Sequence, residues 1–297
     1  LLVALGPTTA DGFAVGHEAV VEVLEVGSEV DSVVPGDVAA CSFQLSCGRC
    51  AMCAGGRTAA CERYPILSDY GMQPLSGVEY GGMLSDVVLV PHADAMLAGL
   101  PRGADPVTFA SVTDNVADGY RAVAPHLKAR PGAPVLVVCH GSRSIALYAT
   151  LAALALGAGS VTFESDDDAA LDVAAALGAS PISADFTTRN GRWPIVIDCG
   201  SRPDALLHAI DSAAAEGVVH SVSYFPGPVD GIPLGKMYTR GVSLVTGRVQ
   251  SAALLGPVLD LVGNGTLNVE RVPSTTIAWE HAPKHYLDDA IKLVVVR

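Results

Sequence analysis

The stretch VLVVCHGSRSIALYATLAALALGAGSVTFESDDD, residues 135–168, decides the fold. It opens on a short apolar run, breaks at His140 and Gly141, and passes into a nearly apolar segment that predicts a helix over 144–157. A second short run, SVTF, follows a glycine-containing break. Strand, turn, helix and strand in this order make a βαβ unit, whose strands run parallel because the crossover helix returns the chain to its starting edge. The pattern continues with a helix over 168–177, the strand PIVID at 194–198, a helix over 203–215 and the strand VVHSVSYF at 218–225. Such alternation predicts an α/β domain, a parallel sheet covered on both faces, with nucleotide binding as its natural use. Its expected range is 116–243.

Outward from that domain the pattern changes. AVVEVLEV at 19–26, DVAAC at 37–41 and SDVVLVP at 85–91 have strand-like composition between turn-rich segments, so residues 1–115 are expected as a β-rich module. After the α/β region, VSLVTG at 242–247, a helix over 251–262 and a terminal strand IKLVVV fill a segment, 244–297, expected to return to the first module.

Composition narrows the function. With 31 Asp+Glu against 18 Lys+Arg the formal net charge is -13, which repels polyanions and provides no basic groove for nucleic acid. Half of the residues are hydrophobic and only 5% aromatic, so a packed core of Ala, Val and Leu is expected. The longest nearly apolar stretch, 145–159, is 15 residues, short of the roughly 20 that a bilayer span requires. Residues 1–18 lack a secretory leader pattern. Seven cysteines, four of them within 15 positions, suit metal ligation in a reducing compartment, so a cytoplasmic protein is expected.

The four crowded cysteines lie in CGRCAMCAGGRTAAC. Cys47, Cys50 and Cys53 are three apart, and Cys61 follows eight later. The short steps let one loop wrap several thiolates around an ion, and the longer step brings the chain back to close a tetrahedron. Structural zinc is favoured. An iron-sulfur cluster is the alternative, although the run lacks the Cys-Pro of that pattern, and free or buried thiols are the other. Cys41 reads as a core residue. Elsewhere His17 offers an imidazole to a metal, Glu18 a neighbouring carboxylate, and Asp114 either a hard oxygen ligand or a helix cap. Asp166, Asp167 and Asp168 lack the ligand spacing of a calcium loop and read as a polar turn and helix start.

Taken in order, GHE at 16–18, PGDVA, the four-cysteine lobe, GGMLSDVVLVP, Asp114 six residues before Tyr120 and the alternating region resemble the medium-chain, zinc-dependent alcohol dehydrogenase family. The resemblance spans nearly the whole chain. It implies a β-rich GroES-like catalytic domain and a Rossmann-type, doubly wound parallel sheet. It also implies a structural zinc on Cys47, Cys50, Cys53 and Cys61, and a catalytic zinc with His17 and Asp114 among its ligands and Glu18 beside it. The family's other zinc-ligating cysteine lies tens of residues before GHE. Here 16 residues precede His17, none of them Cys, so the chain, which opens on Leu1, is expected to lack the family's N-terminal segment.

Where the family has G-x-G-x-x-G, this chain has Cys139, Gly141 and Ser144, keeping only the central glycine. The resemblance implies that Gly141, Ser142, Arg143 and Ser144 meet the cofactor's pyrophosphate. Glu164, Ser165 and Asp166 then lie at the adenosine ribose, and the carboxylates favour NAD over NADP. It further implies hydride transfer between a small alcohol or aldehyde and the nicotinamide, a homodimer or homotetramer formed through the stretch 218–247, and, from Asp114, the polyol and formaldehyde-type branches. The altered loop and the absent cysteine motivate an alternative, a catalytically inactive, zinc-stabilised protein that keeps the fold.

Overall fold

The computed structural model describes residues 14–72, 80–225, 227 and 231–297. Residues 1–13, on which most of the reading of 1–18 as leaderless rests, and part of the stretch expected at a subunit edge fall outside the described residues. The chain divides into two compact units, Leu1–Ala117 with Val249–Asn264, and Asp118–Arg248 with Gly265–Arg297.

In the first unit, β1 (Ala19–Glu22) pairs antiparallel with β2 (Val38–Cys41), Ala19 opposite Cys41. The short helices α1 (Ala51–Ala54) and α2 (Ala93–Met96) precede β3 (Leu97–Gly99), which adds to the other edge of β2, again antiparallel. Ala39, Ala40 and Cys41 are completely buried, as the middle strand of a three-stranded sheet requires, and Cys41 is the core residue its position suggested. The strand expected over 85–91 does not form. Its run of apolar residues, Val87 to Val90, suits a pleated ladder, but no described strand pairs with it, and Val87 and Leu89 stand 68% and 73% exposed. Side-chain pattern supplies a face to bury, whereas a strand exists only when a neighbour takes its backbone hydrogen bonds.

The second unit opens with α3 (Asn115–Ala129), which begins in the first, and then alternates. In chain order come β4 (Val135–Cys139), α4 (Arg143–Ala155), β5 (Val161–Ser165), α5 (Asp168–Leu177), β6 (Ser180–Ser183), β7 (Trp193–Cys199), α6 (Pro203–Ser212), β8 (Ala213–Ser221), α7 (Leu234–Arg240) and β9 (Ser243–Thr246). Among the described residues six parallel strands are ordered β6-β5-β4-β7-β8-β9. The chain winds outward from β4 to one edge, returns, and winds outward from β7 to the other. At that reversal the loops after β4 and β7 diverge, and a crevice opens at the carboxyl ends of the strands. All five residues of β4 are buried, as are eight successive residues of α4, Ala146 to Ala153. A strand buried on both faces and a helix apolar most of the way round account for the two hydrophobic runs, 135–139 and 145–153.

The helix α8 (Ser251–Gly263) belongs to the first unit and buries Leu255, Val258, Leu259 and Val262 along one face. Its start is fixed by Ser251 N, which donates to Gln44 Oε1 (3.1 Å), and by Ser251 Oγ, which donates to Thr113 O (2.6 Å). Residues 265–297 pack in the second unit, where β10 (Thr275–Ala278), α9 (Ala282–His285) and β11 (Leu293–Val296) follow, β10 and β11 forming a two-stranded parallel pair. Of the segment expected to return to the first module, residues 249–264 therefore pack there and 265–297 do not. No described helix is long and apolar enough to cross a membrane.

Candidate functional site

Three groups of side chains carry chemistry. The first is the cysteine lobe, where the sulfurs of Cys47, Cys50, Cys53 and Cys61 all lie within 4.8 Å of one another. A zinc-sulfur bond of about 2.3 Å puts tetrahedral sulfurs about 3.8 Å apart, so this spacing fits a zinc with no open position. The loop aims its amides at the sulfurs. Cys47 N donates to Cys61 Sγ, Cys50 N to Cys47 Sγ, and both Cys53 N and Glu62 N to Cys50 Sγ, at 3.4 to 3.5 Å. Burial raises the Cys47 thiol, but the amides of Arg49 and Cys50 and the neighbouring sulfurs outweigh it and bring the pKa down to about 7. The amides of Cys53 and Glu62 lower Cys50, while burial and the sulfur of Cys50 push Cys53 up to about 12. The shifts favour the thiolate at Cys47 and Cys50 and the thiol at Cys53, and a bound dication would supply the positive charge that holds all four sulfurs as thiolates. None of the seven cysteines is in a disulfide.

The second group is built around Gly16. Its φ is +85°, and a Cβ there would lie 2.6 Å from Leu84 N, so only glycine fits. Hydrogen bonds from Met83 N to Gly16 O and from Leu84 N to Val15 O pin this backbone, and the next residue, His17, packs edge-on against Phe43 with ring centroids 5.3 Å apart. The turn leading into α3 brings Asp114 Oδ2 to 3.1 Å from His17 Nε2. Glu18 Oε1 accepts from Asn115 N (3.0 Å) and so fixes that turn. His17, Glu18 and Asp114, expected together, are together, with His17 and Asp114 forming a two-donor pair. Among the described residues only the cysteine lobe gathers three or more His, Cys, Asp or Glu donor atoms.

The third group lies at the carboxyl ends of β4 and β5, around an open pocket lined by His140, Gly141, Arg143, Asp166, Asp167 and Asp289. Gly141 has φ +92°, and no heavy atom lies within 4 Å of where its Cβ would be. That open backbone, next to the start of α4, is a cradle a side chain would fill and suits the close approach of a pyrophosphate. Ser142 is buried, its Oγ 3.2 Å from Ser201 Oγ, and Ser144 lies in the first turn of α4. The Arg143 guanidinium is held by Asp167 (3.1 Å), by Asp289 and by Ala290 O.

The three candidates at the ribose end part company. Glu164 is completely buried and turned away, accepting from His208 Nε2 (2.6 Å) and Asn190 Nδ2 (3.1 Å). Ser165 is also buried, its Oγ accepting from Asp167 N. Asp166 alone reaches the pocket. Sequence reasoning missed His140, whose Nδ1 lies 2.8 and 2.7 Å from the two oxygens of Asp166, and Arg202, whose Nη1 lies 3.7 Å from Asp166 Oδ2. The available signal was a histidine just before the one retained loop glycine, facing an Asp run one strand away.

Comparison with known proteins agrees with this layout. Residues 4–102 match the alcohol dehydrogenase GroES-like domain. A probable zinc-binding alcohol dehydrogenase of Mycobacterium tuberculosis is 27% identical over 284 residues, covering 92% of this chain and 70% of that protein. A glutathione-independent formaldehyde dehydrogenase of Bacillus subtilis is 25% identical over 326 residues, covering 95% and 79%. Among solved structures, an alcohol dehydrogenase from Thermus sp. ATN1 superposes with a TM-score of 0.86 at 27% identity, over 96% of this chain and 85% of that one.

Proposed function

We propose that the chain, which has the medium-chain, zinc-type alcohol-dehydrogenase-like fold, is an NAD(P)-dependent oxidoreductase that uses His17, Asp114 and Asp166 to act on a small alcohol or its aldehyde with NAD. The observation that carries this reading is the pairing of His17 with Asp114, 97 residues apart in sequence and 3.1 Å apart in the fold. An imidazole and a carboxylate are donors that zinc accepts, and they fit two of the three protein positions of a catalytic zinc. When bound, zinc at this pair supplies Lewis-acid polarisation of the substrate oxygen, and the nicotinamide supplies the hydride acceptor.

The protein's own part is positioning. Gly16 and Phe43 set the His17 ring, and the bond from Asn115 N to Glu18 holds the turn that carries Asp114. Gly141 leaves backbone open to the pyrophosphate, and Asp166 offers a carboxylate to the ribose hydroxyls and repels a 2′-phosphate, which favours NAD. Asp114 in place of a thiolate supports the polyol and formaldehyde-type branches. The same reading makes the protein a cytoplasmic homodimer or homotetramer.

The pair itself motivates a second reading. Among the described residues His17 and Asp114 are two donors where a catalytic zinc needs three, so the chain also suits an inactive protein stabilised by its cysteine lobe. Elemental analysis and turnover separate the two. Two zinc ions per chain and alcohol-dependent reduction of NAD are expected, with His17→Ala and Asp114→Ala each losing the second zinc and keeping the first. One zinc and no turnover with any alcohol, polyol or aldehyde would establish the second reading.

A further inference from the structure

We propose that His140 is a positioning residue that sets cofactor choice by holding the carboxylate of Asp166 at the ribose end of the pocket. This rests on the reading of the β4-α4 turn as a dinucleotide site.

Asp166 is the first residue beyond β5 and is 37% exposed, so nothing in its own strand fixes its side chain. Of its neighbours, Asp167 is committed elsewhere. Asp167 caps α5 through Ala170 N (3.0 Å) and pairs with Arg143, whereas Asp168, which also lines the pocket, sits exposed in the first turn of α5, two residues beyond the contact with His140. Arg202 reaches Asp166 only at 3.7 Å, because its Nε and Nη2 are occupied by Asp204. The close contact is His140 Nδ1, within 2.8 Å of both carboxylate oxygens.

The imidazole is itself held. His140 sits in the turn directly before Gly141, its amide donates to Cys199 O (3.4 Å), and its ring meets Phe186 edge-on at 6.2 Å. An ionised carboxylate only accepts, so the Nδ1 proton is the one shared. One donor occupies only part of a carboxylate's capacity of about four lone pairs. The remaining acceptor positions stay available to a vicinal diol, and the charge meets a 2′-phosphate at a defined place. Without His140 the same carboxylate would keep only the longer contact to Arg202, and binding would have to immobilise it. Immobilising a side chain costs about 0.5–1.5 kcal/mol, about two- to tenfold in affinity. That loss falls on the ligand that uses the carboxylate, NAD, whereas NADP gains from its release.

The test is calorimetric titration of the purified chain with NAD and with NADP. The wild type is expected to bind NAD more tightly. His140→Ala is expected to weaken NAD about two- to tenfold without weakening NADP, so the preference narrows. His140→Asn, whose amide nitrogen can take the place of Nδ1, is expected to restore most of it. Nitrogen NMR of the imidazole, read with no cofactor present, is expected to show Nδ1 protonated in the wild type and a shifted tautomer balance in Asp166→Asn. An unchanged NAD-to-NADP ratio in His140→Ala, equal weakening of both cofactors, failure of His140→Asn to rescue, or an unprotonated Nδ1 would each overturn the proposal while leaving the dinucleotide site standing. A wild type that binds neither cofactor would overturn both.

Discussion

His220 on β8 is a neutral imidazole by virtue of what surrounds it. Arg121 Nη1 lies 3.0 Å from its Nε2, and a guanidinium only donates, so that nitrogen accepts and the proton sits on Nδ1, 2.9 Å from His126 Nε2. Burial first, then the charges of Arg121 and His126, push its pKa from the ordinary 6.5 down to about 3. The unfolded chain takes up this proton near 6.5, whereas the folded chain resists until about 3, so stability falls as pH drops through that window and levels off below it. Denaturant midpoints measured from pH 7 to pH 4 should show this acid limb, and His220→Gln should flatten it. An unaltered slope in the variant would exclude His220 as its source. At the same scale the sequence announced the four-cysteine cluster by spacing, because a C-x2-C loop is a local object. It gave no such notice of His220, whose partners are 94 and 99 residues away.

At the scale of elements, β4 and α4 form where their apolar pattern places them, because both are buried on nearly every side and tertiary packing reinforces the local preference. Leu147 is completely buried in α4. Leu147→Ala should cost about 2–5 kcal/mol, the range for removing a buried leucine side chain and leaving part of its volume empty. Equilibrium denaturation followed by far-ultraviolet circular dichroism would measure it, and a loss well under 1 kcal/mol would mean the neighbours collapse into the gap. Elements at edges were harder to read. The strand β6, SPIS, is mostly exposed and carries little hydrophobic signal, while 85–91 has the signal and no ladder. Edge strands are chosen by the neighbour that offers hydrogen bonds, and that neighbour is remote in sequence.

For the molecule as a whole, the cysteine lobe lies in one compact unit and the six-stranded sheet in the other. Stripping zinc with a strong chelator should therefore act unevenly. Amide exchange is expected to accelerate across residues 46–62, and a calorimetric transition belonging to the first unit is expected to move down, while amides of β4, β5 and β7 stay protected. Uniform acceleration throughout both units would contradict this division. Replacing Cys50 with serine should reproduce the effect without a chelator.

The sequence by itself determined the alternation of strands and helices, the four-sulfur lobe and the glycine at the first crossover, because each depends on residues within a few turns of one another. The resemblance led to the expectation that His17 and Asp114 meet, but only the tertiary structure decided that Glu164 turns inward to His208 while Asp166 faces the pocket, and that His140 lies against Asp166. Glu164 and Asp166 share a parity along the chain, but β5 ends between them at Ser165. One carboxylate is committed to the core by its strand and the other is released to the pocket, a difference set by packing between elements and absent from the local string of residues.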